Sequence, residues 1–391
     1  MLINESKQML TQKIIPFWQG LRDDDCGGFT GWMGFDLKKD RNAVKGCILQ
    51  SRILWFFSTA ASVLCRNDLL KDAKHAYRFL TEHCLDRENG GVFWSVNSDG
   101  SVRDGSKHTY CQAFALYALS AYSRASGDRE ALDAALSLYH TIEEHCSDSI
   151  SYMEAFDRQF RPVPNKKLSG GKAFADKTMN TLLHLLEAYG ELYEVSRDKS
   201  VAESLRRIIL IFLNSVYNPK KHRQEIFFDK NLHSLLDMQS YGHDIETSWL
   251  LDRCCGLLED SGLKERAFSA DLDLAAEVYR AAYHKNSVWN ECVNGKTDKM
   301  RVWWVQAESV TGFLNAYQKC PEHTEYLEAA RNVFRYIAEK LVDPREGSEW
   351  FWQVDDNGVP DRNKPIVEPW KCPYHNGRMC FEIMRRGIDA P

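Results

Sequence analysis

A chain of 391 residues with a net charge of −5, 44% hydrophobic and 12% aromatic residues can bury a sizeable core, and its Lys and Arg residues are scattered rather than run together. Those values exclude a disordered chain and leave no basic footprint for nucleic acid or a membrane surface. No stretch approaches ~18 consecutive apolar residues and residues 1–20 lack the pattern of a signal peptide, so a cytoplasmic protein that meets neither membrane nor nucleic acid is expected.

Twelve cysteines, beginning with Cys26, Cys47, Cys65 and Cys84, show no Cys-x-x-Cys spacing. They read as reduced core residues. Apolar positions recur at helical spacing, most cleanly at Leu205, Ile208, Ile209, Phe212, Leu213 and Val216 and again at Tyr326, Ala330, Val333, Phe334, Ile337 and Leu341. In chain order the spacing predicts helices at 4–21, 45–66, 69–84, 107–126, 128–146, 174–196, 199–217, 243–260, 264–282, 301–319, 322–341 and 371–386.

Short links such as Ser126-Gly127-Asp128 alternate with long segments at 22–44, 85–106, 147–173, 218–242, 283–300 and 342–370. The long segments carry aromatic strands beside turn residues, among them Gly90-Gly91-Val92-Phe93-Trp94-Ser95 and Glu349-Trp350-Phe351-Trp352-Gln353, as small hairpins do. A unit of helix, tight link, helix and aromatic loop therefore repeats six times. Such a unit cannot bury its apolar faces alone, and six close best into a ring. The expectation is an all-α (α/α)6 toroid, a single domain over 1–391, whose inner helices all open toward one face.

The residues that open the inner helices are polar where a purely structural ring would be apolar: Lys45, Gln50 and Arg52; Lys107, Tyr110 and Gln112; Asn180, His184 and Glu187; His243 and Glu246; Trp303, Trp304, Gln306 and Glu308; Tyr374, His375 and Arg378. In Tyr241-Gly242-His243-Asp244-Ile245-Glu246 the imidazole and the carboxylate fall three apart on one helix face, so Glu246 is placed to orient His243 and raise its basicity. The plainer alternative is a capping Asp244 with a surface histidine behind it. Positive helix ends aimed at one cavity would also favour anionic oxygen there.

Taken together, Gln50-Ser51-Arg52-Ile53-Leu54-Trp55-Phe56, Lys107-His108-Thr109-Tyr110, Met179-Asn180-Thr181-Leu182-Leu183-His184, Gly242-His243-Asp244-Ile245-Glu246, Trp303-Trp304-Val305-Gln306-Ala307-Glu308 and Trp370-Lys371-Cys372-Pro373-Tyr374-His375-Asn376 resemble the N-acylglucosamine 2-epimerase superfamily, and within it the cellobiose 2-epimerases. The resemblance spans nearly the whole chain. It implies cofactor-free, reversible epimerisation at C2 of the reducing-end glucose of a β-1,4-linked disaccharide or oligosaccharide. It also implies that His243 and His375 form the acid/base pair, that His184 assists, and that Arg52 holds the oxygens of the intermediate. Tyr110, Asn180, Glu246, Trp304 and Trp370, with Trp303 and Glu308, are implied to bind the sugar. One departure is Leu182, where a histidine is expected; it touches no implied catalytic role.

The residue types suit that chemistry without the resemblance. The C2–H of an aldose becomes acidic once the ring opens, so its removal needs a base active near neutral pH and a cation beside the enediolate. Inversion at C2 is simplest with two proton-handling groups on opposite faces. Each residue also has a bland alternative: Arg52 as a surface salt-bridge partner, His184 as a core histidine, Trp304 and Trp370 as core aromatics. Trp32, Trp94 and Trp352 are candidates to grip a second sugar. No metal-ligand spacing joins the histidines, and no metal or cofactor is expected. A different reaction class, an (α/α)6 glycoside hydrolase, would use Glu246 and Glu308 as its carboxylate pair. A sugar- or partner-binding protein without catalysis is a third reading. N-acetylglucosamine or free mannose remain alternative substrates, and a monomer is expected.

Overall fold

The computed structural model describes residues 2–165, 167 and 174–388; the predicted link over 147–173 thus falls partly outside the described residues, at 166 and 168–173. Its helices are α1 (Leu2–Met9) and α2 (Ile15–Gln19), joined by a π turn, then α3 (Cys47–Leu64), α4 (Leu70–Phe79), α5 (Thr109–Ser126), α6 (Arg129–His145) and α7 (Met179–Ser196). There follow α8 (Lys199–Ile211), α9 (Tyr241–Gly256), α10 (Ser261–Ala282), α11 (Trp303–Lys319), α12 (Thr324–Tyr336) and α13 (Tyr374–Arg386). Helices α3, α5, α7, α9, α11 and α13 pack side by side in a closed ring, each backed by an outer helix, which is the expected (α/α)6 toroid. The sixth hairpin is assembled from the two ends of the chain, since α1 packs on α13.

The two rings differ in pattern because they differ in surroundings. Outer helix α8 buries Val201, Leu205, Ile208 and Ile209 along one stripe, and Asp198 caps it by accepting from Ser200 N–H at 2.8 Å. Inner helix α3 is buried without a break from Cys47 to Ala61, enclosed by neighbours on both sides, an outer helix behind and the ring axis in front. It is long and apolar enough to cross a membrane, yet 83% of it is buried inside the protein.

Helices α3, α5, α7 and α11 begin later than expected because short strands lie within the starts of the predicted spans, whereas α9 begins earlier than expected, at Tyr241. Lys45–Gly46 pairs with Ser95–Val96, Lys107–His108 with Ala155–Phe156, Lys177–Thr178 with Phe227–Phe228, and Arg301–Val302 with Gln353–Val354, all antiparallel. Met238–Ser240 pairs likewise with Glu291–Val293, and a bridge between Met33 and Val367 closes the circle. Each hairpin thus leans on the inner helix one unit back.

These pairings correct part of the polar pattern. Buried Lys45 donates to Asp23 at 2.7 Å, Lys107 to Asp86 at 3.0 Å, Lys177 pairs with Asp148 at 2.7 Å, and Lys371 donates to Glu349. Gln50 exchanges bonds with Phe29 N–H and C=O, as Gln112 does with Val92 and Gln306 with Val288. These side chains fasten loops to helices and take no part in the cavity; removing one partner of a fully buried pair such as Lys107–Asp86 would cost about 3–5 kcal/mol. At four of the expected anion-binding helix ends the first N–H is also engaged, since those of Cys47, Thr109, Met179 and Trp303 donate to the carbonyls of Trp94, Glu154, Ile226 and Trp352.

Candidate active site

Seven residues beyond Lys45, Lys107, Lys177, Gln239, Arg301 and Lys371 stand Arg52, Phe114, His184, Glu246, Glu308 and Arg378, one from each inner helix. Five of the six carry polar or charged side chains, and all five are buried. At this level the ring encloses a cavity of about 220 Å³ lined by Arg52, Tyr110, Asn180, His184, His243, Glu246, Trp303, Trp304, Trp370 and His375, together with Trp352. The two imidazoles expected to meet across one sugar carbon line the same cavity. The surface-histidine alternative for His243 fails here: Asp244 is fully buried and accepts from Gln224 N–H and Nε2, both at 3.1 Å, which ties a loop down.

Arg52 is 2% exposed, and no carboxylate lies within 4.0 Å of it among the described residues. Its Nη2 donates to the Tyr110 hydroxyl at 2.7 Å, its guanidinium lies 4.1 Å from the Phe114 ring centroid, and its Nε has no protein partner. A surface salt bridge is thereby ruled out. A buried cation without a counterion is costly unless an anionic ligand supplies one.

His375 shows the opposite arrangement. Its Nδ1 lies 2.7 Å from Glu308 Oε1, so Nδ1–H donates to that carboxylate and the lone pair is left on Nε2. Glu308 also accepts from Trp249 Nε1 at 3.0 Å and from Arg378 Nη2 at 2.7 Å. It does not line the cavity, which corrects its expected place against the sugar: it stands behind His375 and orients it. Glu246 gives Oε1 to Arg378, while His243 Nδ1 is paired with Ser240 Oγ at 2.7 Å. The expected pairing of Glu246 with His243 is therefore replaced by Glu308 with His375.

Arg378 is the residue that spacing alone undervalued. Its Nη1 donates to Glu187 at 2.6 Å and to the Tyr374 hydroxyl, and Tyr374 donates in turn to Glu187. One guanidinium thus serves three carboxylates, Glu187, Glu246 and Glu308. Burial raises Glu187, but Arg378, His184 and Tyr374 outweigh it and hold that carboxyl well below its usual range. Burial, then the charge of Glu308, pushes Glu246 up to about 8 against the pull of Arg378, so it carries a proton at neutral pH; its Oε2 has no protein partner. Burial lowers His184 to about 4 despite Glu187, and burial with Arg378 and Arg52 lowers His375 well below the usual histidine value. Both imidazoles are neutral bases at pH 7. A signal was present in the sequence: ionisable residues at the same register of five inner helices cannot all be surface.

Glu246, Glu308 and His375 bring potential donor atoms within 4.8 Å of one another, but Arg378 donates to both carboxylates and holds the place a cation would take. The same geometry removes the hydrolase reading, because Glu308 lies behind the wall and, among the described residues, Glu246 is the one carboxylate lining the cavity. A second cavity of about 520 Å³ shares Asn180, His243, Trp304 and Trp352 with the first and continues outward past Asn290, Gln353 and Lys364. Trp94 touches Trp370 at 6.1 Å, whereas Trp32 is 40% exposed and lines neither cavity.

Comparison with known proteins agrees with this fold. The model of the N-acylglucosamine 2-epimerase (GlcNAc 2-epimerase) family matches residues 27–376. A cellobiose 2-epimerase of Ruminococcus albus is 47% identical over 100% of both chains. The crystal structure of a sugar epimerase from a ruminal bacterium superposes with a TM-score of 0.98 at 47% identity over 100% of both chains. That of the cellobiose 2-epimerase of Bacillus thermoamylovorans B4167 gives 0.94 at 39% identity, over 98% of this chain and 99% of that one.

Proposed function

This chain belongs to the N-acylglucosamine 2-epimerase family, and from that premise we propose that it epimerises the reducing-end glucose of cellobiose and related β-1,4-linked oligosaccharides at C2. The observation that carries the reading is the single cavity into which His243, His375 and an unpaired Arg52 all face. The reducing-end sugar occupies the inner cavity, where Glu246 Oε2 and Asn180 Oδ1 have no protein partners, and the second sugar lies in the outer one against Trp352.

Ring opening moves a proton from the C1 hydroxyl and delivers one to the ring oxygen, leaving an aldehyde at C1. One imidazole then takes the C2 proton, and the electron pair of the broken C–H bond becomes an enediolate whose oxygen sits beside Arg52. The other imidazole, which enters as its conjugate acid, gives its proton to C2 from the opposite face, which inverts that centre and exchanges the protonation states of the two imidazoles. His375 enters as the neutral base that Glu308 has prepared, and His184 is placed to exchange protons with the opening ring. The same residues let the reaction run in reverse.

We further read residues 1–391 as one catalytic unit, a cytoplasmic monomer that uses neither metal nor cofactor. Twelve free thiols support a reducing compartment, and Arg378 in place of a cation supports metal-free chemistry. Activity unaffected by a chelator and elution as a 45.1 kDa species are the expected results. Incubation with cellobiose in D2O, followed by NMR, tests the reaction: deuterium at C2 of a mannose-configured reducing end is expected, and unchanged sugar or free glucose would overturn it.

A further inference from the structure

One indole lies near both imidazoles. The Trp304 ring centroid lies 4.7 Å from that of His243 and 5.4 Å from that of His375, and Trp304 lines both the inner and the outer cavity. Its seat is the first turn of α9, at Gly242. A Cβ built there would stand 2.5 Å from Trp304 Cη2, 2.6 Å from Cζ3 and 2.7 Å from Val305 Cγ2. Real Cβ atoms do not approach so closely, so any side chain at 242 must move the indole, Val305 or α9 itself.

Nothing in the backbone calls for glycine at this place. Residue 242 lies inside a regular helix without positive φ, where glycine is among the least favourable residues. At the same register the other inner helices carry Ile48, Tyr110, Asn180, Trp304 and Tyr374. The space vacated by the fourth is filled by the fifth. A second close approach joins the same two helices lower down, where a Cβ at Gly312 of α11 would stand 2.7 Å from Ile245 O of α9. Helices α9 and α11 are thus drawn together at two levels, and the upper one lies beside His243.

We propose that Gly242 is a positioning residue for the reaction: its missing side chain seats the Trp304 indole against His243 and His375 and so sets the gap in which the reducing-end sugar is held. This deepens the C2-epimerase reading and rests on it. A methyl group at 242 would drive the indole into the cavity and crowd the sugar, while the imidazoles keep their own partners, Ser240 and Glu308.

The test is a comparison of Gly242→Ala in three backgrounds, wild type, Trp304→Phe and Val305→Ala, with KM and kcat for cellobiose and the unfolding temperature of each. In the wild-type background KM should rise about tenfold with the unfolding temperature nearly unchanged; in Trp304→Phe, which lacks the clashing ring atoms, the rise should shrink to about twofold or less, and in Val305→Ala it should persist. No effect, an effect undiminished in Trp304→Phe, or relief only in Val305→Ala would overturn the proposal, because the glycine would then serve general packing. A crystal structure of Gly242→Ala decides the matter if Trp304→Phe is too slow to assay: an indole displaced into the cavity supports the seating, an unmoved indole refutes it. A wild-type enzyme inert toward cellobiose would instead remove the reaction, and the crystal structure would still judge the seat.

Discussion

The two ends of the inner ring set arginine side chains in opposite surroundings. At the closed end Arg253 donates to Glu191 at 3.0 Å and Glu194 at 2.8 Å, Arg124 pairs with Glu191 at 2.5 Å, and Arg386 reaches Asn315 and Gln318 at 2.9 and 2.7 Å. At the open end Arg52 has a tyrosine hydroxyl and aromatic faces but no carboxylate. The closed end matches its charges internally and ties together the last turns of neighbouring helices. The open end leaves one cation unmatched, which lowers stability and is resolved only when a substrate brings negative charge. Between them, Arg378 under three carboxylates holds the shape of the site without presenting charge to solvent.

Substitutions at each end sharpen that contrast or break it. The largest effect is expected for His375→Ala: kcat should fall about 10³-fold, the range for loss of an acid/base group, with unfolding temperature little changed. Near-normal turnover would leave the open end without its chemistry. Arg253→Met leaves Glu191 and Glu194 with Arg124 alone at the closed end, so urea unfolding should show a loss of about 2 kcal/mol while kcat per folded molecule is kept. Arg52→Met should do the reverse, lowering kcat/KM about 100-fold with stability equal or higher. If the two arginine variants lost stability alike, the contrast would fail.

The smallest effect on turnover concerns pH. The Glu246 carboxyl titrates from an ordinary 4.5 when unfolded to about 8 when folded, so the folded state holds its proton more tightly and stability falls as pH rises between those values. The urea midpoint should therefore drift downward over that window, and kcat/KM should decline with a midpoint near 8. Glu246→Gln, which cannot ionise, should lose both trends; an unchanged alkaline limb would assign it to another group.

Much of this was legible in order along the chain. Alternating short and long links told of six hairpins, and polar openings at His243, His184 and Arg52 told which helix ends carry chemistry. Lys45, Lys107, Gln50 and Gln112 misled, because a polar residue at a helix start looks the same whether it faces a cavity or clamps a loop. Glu308 misled for a related reason: its register is that of Glu246, but its neighbours turn it toward His375 and away from the sugar.

By itself the sequence determined the helical periods, the sixfold repeat and the level of the ring at which charges gather, since all three follow from local spacing and from the need of each hairpin to be covered. Only the tertiary structure decided which carboxylate meets which imidazole and which arginine goes unpaired. Those partners stand far apart in the chain, 67 residues between Glu308 and His375 and 191 between Glu187 and Arg378, so their meeting depends on how the ring closes.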